Sequence, residues 1–284
     1  MGIKNLIWQG FQKANLPFNL SIVLGHALGG DYVQKFGINP LVTTATDPED
    51  IWEGGGIYPF SANGTADIVS ISSSDAADEQ NVKINGLTAD GTEVTQYAKL
   101  QGQTRVALET PLWRVHRMEN FSYPGVDFAG TVYCYSGTAN TAGVPSGASV
   151  TKSIITDGKN QTEQAIYTIP AKKVGFLIRG EVGFGYSGVP GAGTQQVQFV
   201  LRVRSYLNVF KNKKTVFCIS TGQTTHTDER PFPDPIPALS DIKTQVYMTT
   251  ADISAHSTFH LLLLDETMFT SEYLTEIGQP GYAF

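Results

Sequence analysis

Residues 194–206 read TQQVQFVLRVRSY, and residues 163–185 before them read EQAIYTIPAKKVGFLIRGEVGFG. In the first run Val197, Phe199, Leu201 and Val203 alternate with Gln196, Gln198, Arg202 and Arg204, and only Val200 breaks the pattern. Side chains on a strand change face at every residue, so the run predicts a half-buried strand with a wet, basic outer face. Val174, Phe176, Ile178, Val182 and Phe184 repeat the message upstream. Between the two, GYSGVPGAG reads as a long turn joining paired strands.

Working outward, the pattern is β from about residue 66. ADIVSISSS, NVKING, TEVTQYAKL, TRVAL, LWRVHRMENF and AGTVYCYS are short runs separated by turn residues, with Asp90-Gly91 as a hairpin signal. SGTANTAGVPSGAS (136–149) has no apolar periodicity and reads as a linker or long loop. A second series of strand-like runs follows it. DERPFPDPIPALS holds too many prolines for a central strand. No segment is long enough for a helical crossover, so the expectation is all-β: two antiparallel, jelly-roll-like β-sandwiches with an N-terminal arm. The boundaries are an arm over 1–31, a first sandwich over 32–140 and a second over 141–284. Asp47, followed by Pro48 and acidic residues, predicts one helical turn, and TSEYLTEI another.

The arm is ambiguous between a short helix and a strand. Ile3, Leu6, Ile7 and Phe11 would share a helical stripe, whereas LSIVLG looks extended. Ile3, Leu6, Ile7, Trp8, Phe11, Leu20 and Ile22 form the candidate interface of this segment with another chain, because undocked termini are normally polar. The alternative is a segment that completes its own domain.

The 284 residues carry 16% charged side chains, below the roughly 25% usual for soluble domains, so the surface is built from Ser, Thr, Asn, Gln and Gly. Net charge −6 argues against a nucleic-acid partner. No apolar run reaches the 18 residues of a membrane span, and the N-terminus lacks the design of a signal peptide. Cys134 and Cys218 sit in strand-like runs, where buried free thiols are expected.

No chemical motif survives inspection. GFGYSG (183–188) matches G-x-G-x-x-G, but a strand follows where the pyrophosphate needs a helix N-terminus. His256 and His260 have metal-ligand spacing for a helix, yet on a strand they stand about 13 Å apart. His26 and His116 are isolated. The acidic groups Asp47/Glu49/Asp50, Asp75/Asp78/Glu79 and Asp228/Glu229 lack the spacing of a calcium loop and read as solvated. A glycosidase pair would meet only in space. Tyr133, Tyr135 and Trp113 read as core or interface. Catalytic, cofactor and metal residues are therefore expected to be none.

In their order, DPEDIWEGGGIYPF (47–60), NVKINGLTADGTEVTQYAKLQGQT (81–104), LWRVHRMEN (112–120), ITDGKNQTEQAIYTIPAKKVGFL (155–177), VLRVRSYLNVFKNKKTVF (200–217) and DIKTQV (241–246) resemble a group of tailed-bacteriophage virion structural proteins. The similarity spans residues 32–264. It implies a non-enzymatic, β-rich particle component assembled in the host cytoplasm. Its implied partners are copies of itself and other capsid or tail proteins. A host surface glycan is the alternative partner, bound by a sandwich module of the tail.

Overall fold

The computed structural model describes residues 30–43, 47–186, 195–220, 224–230, 233–248 and 252–268. All seven candidate interface residues of the N-terminal segment, and the helical turn expected in TSEYLTEI, lie outside them.

The described chain is almost entirely strand. In order these are β1 (Gly30–Val42), β2 (Glu49–Asp50), β3 (Ile68–Ser73), β4 (Asn81–Leu87), β5 (Glu93–Lys99), β6 (Val106–Leu112), β7 (Arg114–Asn120), β8 (Val132–Ser136), β9 (Asn140–Thr141) and β10 (Val144–Pro145). There follow β11 (Val150–Ile155), β12 (Ile166–Thr168), β13 (Lys173–Tyr186), β14 (Gln195–Arg204), β15 (Lys211–Ser220), β16 (Thr224–Glu229), β17 (Pro235–Ile236), β18 (Asp241–Met248) and β19 (Ile253–Asp265). The helix among the described residues is one 3-10 turn, Glu266–Met268. Every strand pair is antiparallel.

One sandwich is made of the sheet β1-β19-β13-β16 and the sheet β12-β18-β14-β15. Phe184, Leu177, Phe259, Leu261 and Leu263 from the first sheet meet Val197, Phe199, Val203, Ile242 and Val246 from the second in a single core. Strands β2 and β12 pair with successive stretches of β18, so they are two halves of one strand position: Glu49 and Asp50 face Val246 and Gln245, and Ile166 to Thr168 face Lys243 to Asp241. Counted that way, the eight positions run 1-8-3-6 in one sheet and 2-7-4-5 in the other. That order is a jelly roll, two Greek keys folded face to face.

The second sandwich sits inside that split strand. Its sheets are β11-β8-β3-β6 and β5-β4-β7, closed around Ile71, Ile84, Leu100, Leu112, Met118 and Val132. The chain leaves the jelly roll after Ile51 and returns at Ala165. Ile51 N donates to Thr244 O (3.0 Å), Ala165 N to Ile51 O (2.9 Å) and Thr244 N to Ala165 O (3.4 Å). Trp52 and Gln164 bridge each other just beyond.

Nesting corrects the expected boundaries at 31/32 and 140/141. β1 is an edge strand of the jelly roll, paired with β19, and belongs to no first sandwich. Of the two readings of 136–149, linker or long loop, the structure shows the loop, with a small hairpin, β9–β10, held on the inserted domain. Ser70 Oγ donates to Gly137 O and Ser72 Oγ to Gly143 O, each at 2.7 Å. The segment lacks apolar periodicity because it packs by backbone: a Cβ on Gly143, at φ 78°, would lie 1.7 Å from Ser73 O. The next strand, β11, pairs with β8 of the same sheet.

Two local expectations also change. Strands β13 and β14 do not pair with each other; each already has sequence-distant neighbours in its own sheet, and they face one another across the core. Alternation specifies a buried face, not the identity of the strand alongside. Residues 47–51 form no helical turn, because Glu49 and Asp50 are spent on pairing with β18. The strand register around Val197 is as expected: Val197, Phe199 and Val203 are buried, and Leu201 packs half-buried against them.

Phe199→Ala is expected to lower stability by about 3–5 kcal/mol, and Leu201→Ala by about 2 kcal/mol or less, since less of it is enclosed. Gly143→Ala should destabilise the inserted domain through overlap and a strained φ together. Urea unfolding of the three variants checks the ranking; an unaffected Gly143→Ala would remove the hairpin's role.

Candidate functional site

The charged residues converge where the inserted domain meets the jelly roll. Asp241, at the start of β18, is buried and is the centre. Arg114 at the start of β7 forks onto it, Nε to Oδ1 at 3.0 Å and Nη2 to Oδ2 at 3.2 Å. Arg204 at the end of β14 donates to Oδ2 (Nε, 3.0 Å), and Thr168 Oγ1 to Oδ1 (2.5 Å). Arg114 Nη1 also donates to Ser61 O at 3.0 Å. Both guanidinium groups lie over the Phe60 ring, at 5.0 and 4.9 Å, and Arg204 also covers Phe210 at 4.6 Å. Two cations on one carboxylate are tolerable here because planar guanidinium stacks on aromatic faces while its edges hydrogen-bond.

A second ion pair lies alongside. Lys243 Nζ sits 2.9 Å from both oxygens of Asp50, whose Oδ2 also accepts from Tyr58 N (2.8 Å). Burial pushes the Asp50 carboxyl up and the Lys243 ammonium down, and in each group it outweighs the attraction of the partner. Glu49 is also buried. Burial pushes its carboxyl up, but donors from Gly56 and Thr43 N–H groups, Asn39 and the Thr43 hydroxyl win and hold it below the usual range.

These acids therefore are not solvated loops, as their clustering suggested; nor is Asp78, which is buried and accepts from Ser73 Oγ, Ala129 N and Gly130 N. Asp47, Glu79 and Glu229 are exposed, as expected, while Asp75 and Asp228 are half-buried, Asp228 between Lys214 (3.1 Å) and Arg230 (3.3 Å). The outer face of β14 is not simply wet either, since Arg204 is committed to Asp241.

On the side of the sandwich where β1 and β12 are the edges, β7 closes the gap between the sheets. Lys35 Nζ of β1 donates to His116 O of β7, and the His116 ring lies 4.1 Å from Tyr167 of β12. Gln164 Nε2 donates to Val115 O at 2.8 Å. Gly37 of β1 passes so close that a Cβ there would sit 2.2 Å from Ala165 N. Burial, then the Arg117 guanidinium, pushes the Lys35 ammonium down to about 7. Burial, then Lys35 and Arg114, holds His116 well below the ordinary imidazole value, against a hydrogen bond to the Thr168 backbone.

Trp113 is fully buried and meets Tyr206 edge-on at 6.0 Å. Tyr135 is buried beneath the β9–β10 hairpin, with Asn140 Nδ2 at 3.2 Å from its hydroxyl, and Tyr133 is half-buried. Cys134 and Cys218 are free, buried thiols, one in each domain. His256 and His260 lie half-buried along β19. His256 crowds Gly183, and His260 Nδ1 hydrogen-bonds the Tyr32 hydroxyl. Among the described residues no three His, Cys, Asp or Glu side chains come together as a metal site.

Two surface features stay uncovered among the described residues. β7 runs from Arg114 at the junction to Asn120 at the far end of the inserted domain. There Phe121 and Tyr97 touch, ring centres 5.1 Å apart, beside a fully exposed Tyr123 and an exposed Val126. At the other sheet edges of the jelly roll, β15 pairs with β14 alone and exposes Phe217 and Ile219. The sequence signal for the tip was FSYPGV, apolar side chains spaced among turn residues; it was read only as a separator between strands. The Arg114–Asp241 link, 127 residues apart, had no local signal.

No protein-family profile and no curated protein matches this chain. Among solved structures it is similar to one of infectious bursal disease virus, Gt strain, at 10% identity, with 89% of this chain and 79% of that chain covered and a TM-score of 0.22. A structure of the Gx strain gives 13% identity, coverage of 87% and 77%, and the same TM-score of 0.22. Similarity at that level carries no argument about fold or function.

Asp241→Ala leaves Arg114 buried without its counter-charge and is expected to cost about 3–5 kcal/mol in urea unfolding. Acid should weaken the junction. Lys35 and His116 are bases whose folded values are depressed, so the unfolded chain binds more protons and stability falls as pH falls. For Lys35 the loss accrues from its ordinary 10.5 down to about 7; for His116 it begins below 6.5. Lys35→Met should flatten stability between pH 10 and 7, and His116→Gln should reduce the further loss below pH 6.5. Unfolding midpoints measured across this range check both signs.

Proposed function

We propose that this chain is a non-enzymatic structural protein of a tailed-phage virion, assembling as a homo-oligomer on the particle. It acts there as head-surface decoration or cement, or as a tail or fibre-attachment component, and is assembled in the host cytoplasm. The observation that carries this reading is the eight-stranded jelly roll, an architecture used by viral capsid and lectin domains and by cupins. A fold alone does not fix function, so the choice among these uses rests on the side chains. The buried ionisable groups around Asp241 are engaged with one another and with backbone atoms, as a structural joint requires. The low charge of the chain suits repeated packing, because few charged groups must be desolvated at each contact. The ordered sequence resemblance to tailed-phage structural proteins supports the particle. Its partners are copies of itself and neighbouring virion proteins.

A second reading is a receptor-binding module of the phage tail. It is favoured by the exposed Tyr97, Phe121 and Tyr123 at the tip farthest from the junction, since aromatic faces can stack on sugar rings.

Light scattering of the purified full chain is expected to give a whole-number multiple of 30.8 kDa, and antibody against it should label intact particles. A monomer that labels no particle overturns the structural reading. Tyr97→Ala with Tyr123→Ala should leave particle assembly intact; loss of adsorption to host cells with assembly unchanged would favour the second reading.

A further inference from the structure

We propose that the free edge of β15 takes up, by strand addition, the N-terminal segment 16–24 of a neighbouring copy of this chain. The inference rests on the homo-oligomer reading above and states where one such contact is made.

The two sides of the jelly roll are treated differently. On the side of β1 and β12 the inserted domain closes the gap, through Lys35, His116 and Tyr167. On the side of β15 and β16 the described residues place nothing. β15 is ten residues long and pairs on one flank only, with β14. Val216 and Cys218 point into the core, so Phe217 and Ile219 point out, 58% and 64% exposed. The inter-sheet gap remains as a cavity of about 40 Å³ whose lining includes Lys214, His226 and Asp228. A long edge with exposed apolar side chains is a template for another strand unless it is guarded by charge. The guards here, Lys211, Lys213 and Lys214, occupy only the other half of β15.

The occupant is argued from sequence and reach. Residues 18–24, FNLSIVL, place Phe18, Leu20, Ile22 and Leu24 at alternate positions, with Asn19 and Ser21 between. A strand added to β15 would lay that apolar row beside Phe217 and Ile219, while main-chain hydrogen bonds supply the pairing. The chain's own edge is out of range. Residues 25–29 between the segment and β1 span at most about 21 Å when fully extended. Gly30 starts β1 at the end where Leu263 and Ile169 pack, the Asp241 end of the sandwich. Phe217 and Ile219 lie opposite Gln198 and Gln196 at the other end. A strand outside β15 lies four strand spacings, about 19 Å, and one inter-sheet distance, about 10 Å, from β1; at right angles these make about 22 Å through the body of the sandwich, beyond the tether even with no displacement along the strands. A second copy removes that constraint.

The test uses the full chain in which Phe217 is replaced by a photo-crosslinking benzoylphenylalanine, mixed with an isotope-labelled wild-type copy. Light is expected to join position 217 to a labelled peptide from residues 16–24. A crosslink to the same copy, or to any other region, overturns the proposal. In parallel, Phe217→Asp with Ile219→Asp alters only exposed side chains and should leave the melting temperature unchanged. It should weaken self-association at least tenfold by light scattering, as should a truncation beginning at Gly29. Oligomers that survive both changes leave the homo-oligomer reading intact and remove this docking site. A wild-type chain that stays monomeric at every concentration removes both.

Discussion

Thr244 is the residue on which the architecture turns. Its carbonyl takes the Ile51 N–H and its own N–H goes to Ala165 O, so one point on β18 receives the chain twice, once before and once after the whole inserted sandwich. An antiparallel sheet tolerates such an interruption because its ladder is made of local pairs and does not require the paired strand to be covalently continuous. The condition is that exit and return lie side by side, and the Trp52–Gln164 bridge holds them there. Everything the inserted domain does is done within the freedom this double crossing leaves.

Two peptide crossings alone would permit the domains to swing, and the junction chemistry removes that freedom. Asp241 draws Arg114 from the insertion and Arg204 from the jelly roll onto one carboxylate, roofed by Phe60 and Phe210. A buried ion group of this kind is poor evidence for net stability, because desolvation offsets much of the attraction. It does demand one geometry, since displaced guanidinium groups would be left buried without a partner. Lys35 and His116 make the same kind of demand on the other side. Their neighbours Arg114 and Arg117 are cations, so each added proton is opposed.

The nested arrangement leaves an asymmetric surface. One flank of the jelly roll is occupied by its own insertion, whereas the β15–β16 flank and the far tip of the insertion carry exposed apolar side chains. Scattered exposed apolar residues are ordinary on a protein surface; grouping on an unpaired edge and on a distal tip is the informative feature.

By itself the sequence determined the all-β class, the turn at Asp90-Gly91 and the inward face of Val197, Phe199 and Val203. Each follows from a period of two or a two-residue turn, rules that act within a few positions. Tertiary structure decided what local rules cannot carry. Strand alternation says which side chains are buried but not which strand lies alongside, so β13 and β14 went to opposite sheets and β1 joined β19, more than two hundred residues away. The 136–149 segment read equally as a linker or a long loop because close backbone packing, as at Gly143, needs small residues just as a flexible linker does. Asp50 looked like a solvated acid and Asp241 drew no reading of its own, because nothing near them in sequence announces Lys243 or Arg114. A charge can be buried only when its partner arrives, and here the partners arrive from the other end of the chain.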